Sequence, residues 1–136
     1  MRITPLSSLL ALLACSAAVA ADRAATPPEP IVTPLTTQPL SDYPGKEVLV
    51  LSVEYPPGTT EHAHRHDAHA FVYVLEGSIV MGVAGSAPVT LKAGETFHEG
   101  PKDVHTIGRN ASQDKPARFV VFLLKDKGKP AVLPAD

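Results

Sequence analysis

Gly58-Thr59-Thr60-Glu61-His62-Ala63-His64-Arg65-His66-Asp67-Ala68-His69-Ala70-Phe71-Val72-Tyr73-Val74-Leu75-Glu76-Gly77 is the stretch that decides the fold. It carries four of the six histidines of the chain, His62, His64, His66 and His69. Spacing by two is meaningful only in extended backbone, where residues i and i+2 share a face. His62, His64 and His66 would then project side by side, and two neighbours in such a row can hold one cation. Imidazole suits Zn, Fe, Cu, Ni and Mn. A further ligand has to come from elsewhere in the chain.

Working outward, Phe71 to Leu75 is rich in β-forming residues and ends at the turn pair Glu76-Gly77. Before the histidines, Val48 to Tyr55 reads as a strand closed by Pro56-Pro57-Gly58. After them come Ser78 to Val83, Val89 to Lys92, Glu95 to Glu99, a delivery turn at Gly100 to Asp103, the segment Val104 to Ile107, a polar loop at Asn110 to Pro116 and a last strand at Arg118 to Leu124. No window shows a sustained helical period with caps. Roughly eight short strands with regular turn signals predict a sandwich or barrel. A closed antiparallel barrel also removes the edges that Val-rich strands would expose.

The 136 residues allow one domain, and 12 Lys+Arg against 14 Asp+Glu leave a net charge of −2. No basic run with interleaved aromatics points to nucleic acid. The 14 prolines and nine glycines suit short strands and turns. Residues 1–20 read as an export signal: Arg2, an apolar run from Leu6 to Ala20, and Ala18-Val19-Ala20 as a small-x-small cleavage site. The run is too short for a comfortable membrane span, and no other segment could span one. Leu12-Leu13-Ala14-Cys15 offers an alternative, lipidation at Cys15. Cleavage after Ala20 would remove the one cysteine of the chain. Residues 21–44 read as a Pro/Thr-rich lead, 45–125 as the barrel and 126–136 as a charged tail.

Two motifs resemble those of the cupin superfamily. In the first, Gly58 is separated by the five residues Thr59 to Ala63 from His64-Arg65-His66, and the motif closes at Gly77. In the second, Gly94, Pro101, His105 and Asn110 fall in order. The resemblance covers residues 45–125 and implies an all-β jelly-roll barrel, the double-stranded β-helix, with one divalent metal ion held by His64, His66 and His105. One departure stands out: the glutamate of the first motif would fall on Ala70. Its neighbour His69 could enter as a further ligand through a small bulge.

Other residues carry expectations of their own. His62 is expected at the barrel mouth, as a rim residue or a proton shuttle. His98 and Glu99 lie on one strand, so only one of them can face inward. If Glu99 enters the pocket it is a general-base candidate with a raised pKa; otherwise it is a surface carboxylate. Phe71, Tyr73, Met81, Phe97, Phe119 and Phe122 are expected in the core or pocket wall, and Asn110 as a turn-former.

Cupins with all-histidine iron sites include dioxygenases. The resemblance therefore implies a metal-dependent dioxygenase-type oxidoreductase acting on a small organic substrate, with Fe(II) first and Mn, Ni, Cu or Zn as alternatives. Two other readings stand beside it: an exported metal- or ligand-binding module, and a non-redox metal-dependent isomerase or decarboxylase. An inward Glu99, or Arg65 at the mouth, would favour an enzyme. The resemblance also suggests a homodimer through the N-terminal lead.

Overall fold

In the computed structural model, which describes residues 26–136, ten strands form two five-stranded sheets. The strands are β1 (Ile31–Pro39), β2 (Lys46–Tyr55), β3 (His64–Arg65), β4 (His69–Glu76), β5 (Ser78–Val83), β6 (Val89–Lys92), β7 (Thr96–Glu99), β8 (Val104–Asn110), β9 (Ala117–Asp126) and β10 (Leu133–Pro134). One sheet runs β1-β2-β9-β4-β7 and the other β10-β3-β8-β5-β6, every pairing antiparallel. Sequence neighbours β4 and β5 lie in different sheets, so the chain crosses at Gly77. This is an all-β jelly-roll, the form that the family resemblance implied for the sandwich or barrel predicted by the turn spacing.

Gly77 makes that crossing possible. Its φ is 73°, and a Cβ there would meet the Pro116 carbonyl oxygen at 2.7 Å and the Ala117 Cα at 2.9 Å. Only glycine combines the positive φ with that closeness.

The core lies between the sheets and follows strand parity. On β2, Leu51, Val53 and Tyr55 are buried; on β4, Ala70, Val72 and Val74; on β9, Ala117, Phe119, Val121 and Leu123. The intervening residues face out, which corrects part of the core expectation. Phe71, Tyr73 and Phe122 are 49%, 44% and 43% exposed, because they alternate with the inward Val72 and Val121 and so face the outer side of the sheet. Met81 and Phe119 are buried, and Phe97 packs at the core margin.

Residues 31–39 of the lead form a full edge strand on β2, as the apolar Ile31, Val32 and Leu35 allow. Two other segments differ from their sequence reading. The tail adds β10, which pairs with β3. The histidine run is mostly irregular, and only His64–Arg65 is strand. Among the described residues no helix is long and apolar enough to cross a membrane. The leader, Cys15 and the Ala20 cleavage site lie outside the described residues.

Candidate metal centre

His64, His66 and His105 converge, each offering a nitrogen within 4.8 Å of the others. Two strands bring them together: His64 on β3 pairs directly with His105 on β8. Their ring centroids are 4.8 Å apart, and those of His64 and His66 are 4.9 Å apart. Asp67 follows with φ 49°, a left-handed conformation that aspartate tolerates, and an ion pair to Arg65. That turn carries the chain from His66 to the inward Ala68 and Ala70.

Each ring is oriented by a backbone carbonyl. His64 Nδ1 lies 2.9 Å from the His62 carbonyl oxygen, His66 Nδ1 2.6 Å from that of Ala131, and His105 Nε2 2.6 Å from that of Ile107. A carbonyl only accepts, so each of these nitrogens carries the proton and donates. The opposite nitrogens keep their lone pairs: Nε2 of His64 and His66, and Nδ1 of His105. Fixing the tautomer in this way presents a ligand atom to a metal. Burial holds the pKa of His66 below its ordinary value and pushes that of His105 down to about 4. Both rings are therefore neutral near pH 7, the form a metal needs.

Glu99 is the inward member of the His98/Glu99 pair and only 2% exposed. Its Oε1 lies 3.2 Å from His105 Nδ1 and its Oε2 3.8 Å from His66 Nε2. Among the described residues Oε2 has no hydrogen-bond partner. Burial raises the carboxyl to about pH 7, and the nearby Glu61 and Asp103 add to the shift. Three converging imidazoles beside a buried carboxylate with an unpartnered oxygen fit a divalent cation.

The cluster lies at the polar end of a cavity of about 500 Å³. Its walls are largely apolar, with Leu51, Val53, Val72, Met81, Phe119 and Val121 among them. Val32 of β1 and Leu133 of β10 also line it.

The sequence had not singled out Glu61, Tyr55 or the tail. Glu61 reaches the cavity because residues 61–63 are not in a strand, so parity does not govern it. Its carboxyl is pushed up by burial, while the Tyr55 hydroxyl donates to it and His64 lies nearby. Tyr55 was legible as the inward end of Leu51-x-Val53-x-Tyr55. Gly108 leaves room for this group: a Cβ there would strike the Glu61 carboxylate and come within 3.0 Å of the Tyr55 hydroxyl and 3.1 Å of His105 Nε2. The Ala131 carbonyl has no signal in sequence.

Other candidates fall elsewhere. His62 is exposed and lines the cavity. The expected bulge at His69 is absent: β4 runs in continuous register with β9 through His69↔Leu124 and Ala70↔Leu123. Ala70 points in and His69 out, its ring stacked on His98 at 5.3 Å with Nδ1 3.1 Å from Nε2 of His98. His69 is therefore not part of the cluster. Arg65 pairs with Asp67 and does not line the cavity. Asn110 is structural: its Nδ2 donates to the carbonyls of Tyr55, Pro56 and Lys115, and its Oδ1 accepts from Ser112 N–H.

Fold and site together define a jelly-roll barrel with a candidate histidine metal centre. The Cupin domain profile matches residues 51–123, more than half of the 136-residue chain, and the protein belongs to the cupin superfamily. No curated protein matches the sequence. Among solved structures, an uncharacterized conserved protein with a double-stranded β-helix domain from Klebsiella pneumoniae subsp. pneumoniae MGH 78578 is 21% identical. It aligns over 77% of this chain and 84% of its own, with a TM-score of 0.61. A recombinant oxalate oxidase in complex with glycolate is 25% identical over 80% of this chain and 56% of its own, with a TM-score of 0.61. The DMSP lyase DddQ from Ruegeria pomeroyi DSS-3 is 21% identical over 64% of this chain and 42% of its own, with a TM-score of 0.56. The chain thus spans little more than half of that oxidase and less than half of that lyase.

Proposed function

We propose that the protein is an exported enzyme that uses one divalent metal ion, Fe(II) first, in a dioxygenase-type oxidation of a small organic substrate. The observation that carries this reading is the convergence of three carbonyl-oriented imidazoles, His64, His66 and His105, on the polar end of an apolar cavity. When bound, such an ion supplies Lewis acidity, open coordination positions and one-electron chemistry.

The chain's own residues do the rest. The apolar walls take up the body of the substrate and exclude water. Among the described residues no lysine or arginine lines the cavity. The substrate accordingly has an apolar body and one polar end, directed at the histidines. Glu61, with its raised pKa and the Tyr55 hydroxyl donating to it, is placed to take a proton from that end. The likeness to oxalate oxidase agrees with oxidative chemistry on a small molecule. Export rests on the 1–20 leader, and a homodimer through β1 on the half-exposed Ile31, Val32 and Leu35.

The test is metal content by mass spectrometry after anaerobic Fe(II) loading of untagged protein starting at Ala21. Oxygen uptake with dicarbonyl and thiol substrates follows. One iron per chain and substrate-dependent oxygen uptake are expected. Stoichiometric zinc with no oxygen uptake would move the reading to a non-redox isomerase or decarboxylase, which the Glu61–Tyr55 pair also suits. Wild type that binds no metal would sink the metal reading altogether.

A further inference from the structure

We propose that Glu99 is itself a ligand of the metal, supplying from β7 the carboxylate that the family motif would place on β4. The inference rests on the metal reading above and adds to it a residue the three-histidine cluster does not contain.

The first observation is register. Ala70, which occupies the motif's glutamate position, pairs directly across the strands with Glu99. Directly opposed residues share a face, with Cβ atoms about 4.5–5.5 Å apart. Both are buried, Ala70 at 1% and Glu99 at 2%. The methyl of Ala70 leaves the interior space into which the Glu99 side chain extends. The carboxylate has moved one strand sideways while staying on the same wall of the barrel.

The second observation is a clash of hydrogen-bonding roles. His66 Nδ1 donates to Ala131 and His105 Nε2 to Ile107. The nitrogens that face Glu99 are therefore the lone-pair nitrogens, His66 Nε2 at 3.8 Å and His105 Nδ1 at 3.2 Å. Acceptors facing an acceptor repel unless a proton or a metal cation lies between them, and the single proton of a neutral Glu99 can serve only one of the two rings. No lysine or arginine pairs with Glu99 among the described residues, and Oε2 is left without a partner. A divalent cation bound to His66 Nε2, His105 Nδ1 and a Glu99 oxygen satisfies all of these atoms at once.

The same tautomers argue against a positioning role. To orient His105 through Nδ1–H, Glu99 would need His105 Nε2 as the ligand atom, and that nitrogen is held by the Ile107 carbonyl. With Glu99 as a ligand, proton transfer falls to Glu61.

The experiment is Co(II) titration of the apo protein, read by calorimetry and by the visible ligand-field spectrum. It compares wild type, Glu99→Gln, and the double variant Ala70→Glu/Glu99→Ala, which returns the carboxylate to β4. Loss of a ligand should weaken Co(II) binding in Glu99→Gln by more than the roughly 10–100-fold typical of an outer-shell partner, and change the spectrum. The double variant should recover much of the affinity and a wild-type-like spectrum. A Glu99→Gln protein with an unchanged spectrum and less than about a 10-fold loss overturns the inference while leaving the three-histidine centre intact. Wild type that binds no Co(II) overturns the metal reading and the inference with it. Far-UV circular dichroism confirms that each variant is folded. If Glu99→Gln does not fold, the spectrum of the double variant decides: a three-histidine spectrum counts against the inference, and a restored one supports it.

Discussion

Glu47 and Glu99 are both buried in this barrel, and they are buried differently. Glu47, at the start of β2, is 6% exposed and ion-paired with Lys125 of β9, whose side chain is itself buried. It also accepts from the Gly128 N–H at 3.1 Å, while Lys125 donates to the Lys129 carbonyl at 2.6 Å. Glu99, at the end of β7, is 2% exposed and has no lysine or arginine partner among the described residues. A buried charge is tolerated when it is paired and fully hydrogen-bonded. Glu47 meets that condition inside the chain, so its role is structural. Glu99 does not, and its surroundings are imidazole lone pairs at the end of a cavity. The comparison separates a carboxylate that closes the fold from one that waits for a ligand.

The comparison breaks most visibly at Lys125. Lys125→Met leaves Glu47 buried without its cation, and removing one partner of a buried pair is far worse than removing both. The melting temperature should fall by roughly 10 °C or more, and Glu47→Gln/Lys125→Met should recover part of it. An unchanged melting temperature in Lys125→Met would remove the distinction between the two carboxylates.

The matching change at Glu99 should have the opposite sign. In metal-free protein at pH 8, Glu99→Gln removes an unpaired buried charge. It should raise stability by up to about 3 kcal/mol, the equivalent of a carboxyl moved from its ordinary value to about 7. Added Zn(II) should reverse the order. At 100 times its Kd a metal stabilises wild type by about 2.7 kcal/mol, while Glu99→Gln gains much less. Urea unfolding with and without metal reads both effects. A Glu99→Gln protein less stable than wild type without metal would show that Glu99 is satisfied internally, as Glu47 is.

The pH dependence sharpens the same contrast. The Glu47 carboxyl lies below its ordinary value because Lys125 and the Gly128 N–H hold the charged form. Its stabilisation is present above the unfolded carboxylate pKa and is lost as pH falls through the folded one. The Glu99 carboxyl lies above its ordinary value, at about 7. Its contribution is present below the unfolded pKa and is lost as pH rises toward and through 7. The depressed values of His66 and His105 act in the opposite direction, losing stability on acidification. Each glutamate's share is therefore read as wild type minus its Gln variant across pH 3–9. The Glu47 difference should shrink on acidification and the Glu99 difference should grow more unfavourable on alkalinisation. Slopes of the same sign would contradict the assignment.

Much of this site was legible in the chain, and the rest was hidden for definite reasons. His64, His66 and His105 follow from two motifs whose spacing depends on strand length and turn size. Tyr55 and the outward Phe71 and Phe122 follow from parity, and the latter two were misjudged by weighing hydrophobicity above alternation. The choice between His98 and Glu99 needed the register Ala70↔Glu99, a pairing between strands more than twenty residues apart that local pattern does not encode. Glu61 escaped because its segment is not extended, and Ala131 because a carbonyl carries no sequence signature.

The smallest expected effect is at His69, where parity alone decides. His69 and Ala70 are adjacent on β4, and the strand is in continuous register with β9 there. One of them must face the cavity and the other solvent. The bulge that would turn His69 inward would place a second residue opposite Leu123 or Leu124 of β9, and each has a single partner. His69 instead stacks on His98 on the outer face, and Phe71 packs against His98 at 4.8 Å. Its ring is held by no backbone carbonyl among the hydrogen bonds of the described residues, unlike the three inward rings. His69→Ala and His98→Ala should therefore leave Co(II) affinity within about threefold of wild type, whereas His66→Ala should weaken it by well over about 100-fold. A large loss in His69→Ala would mean that β4 shifts by one residue when metal binds. That shift would carry Ala70 out of the wall and Glu99 out of reach, and the two carboxylates would no longer differ in the way their burial implies.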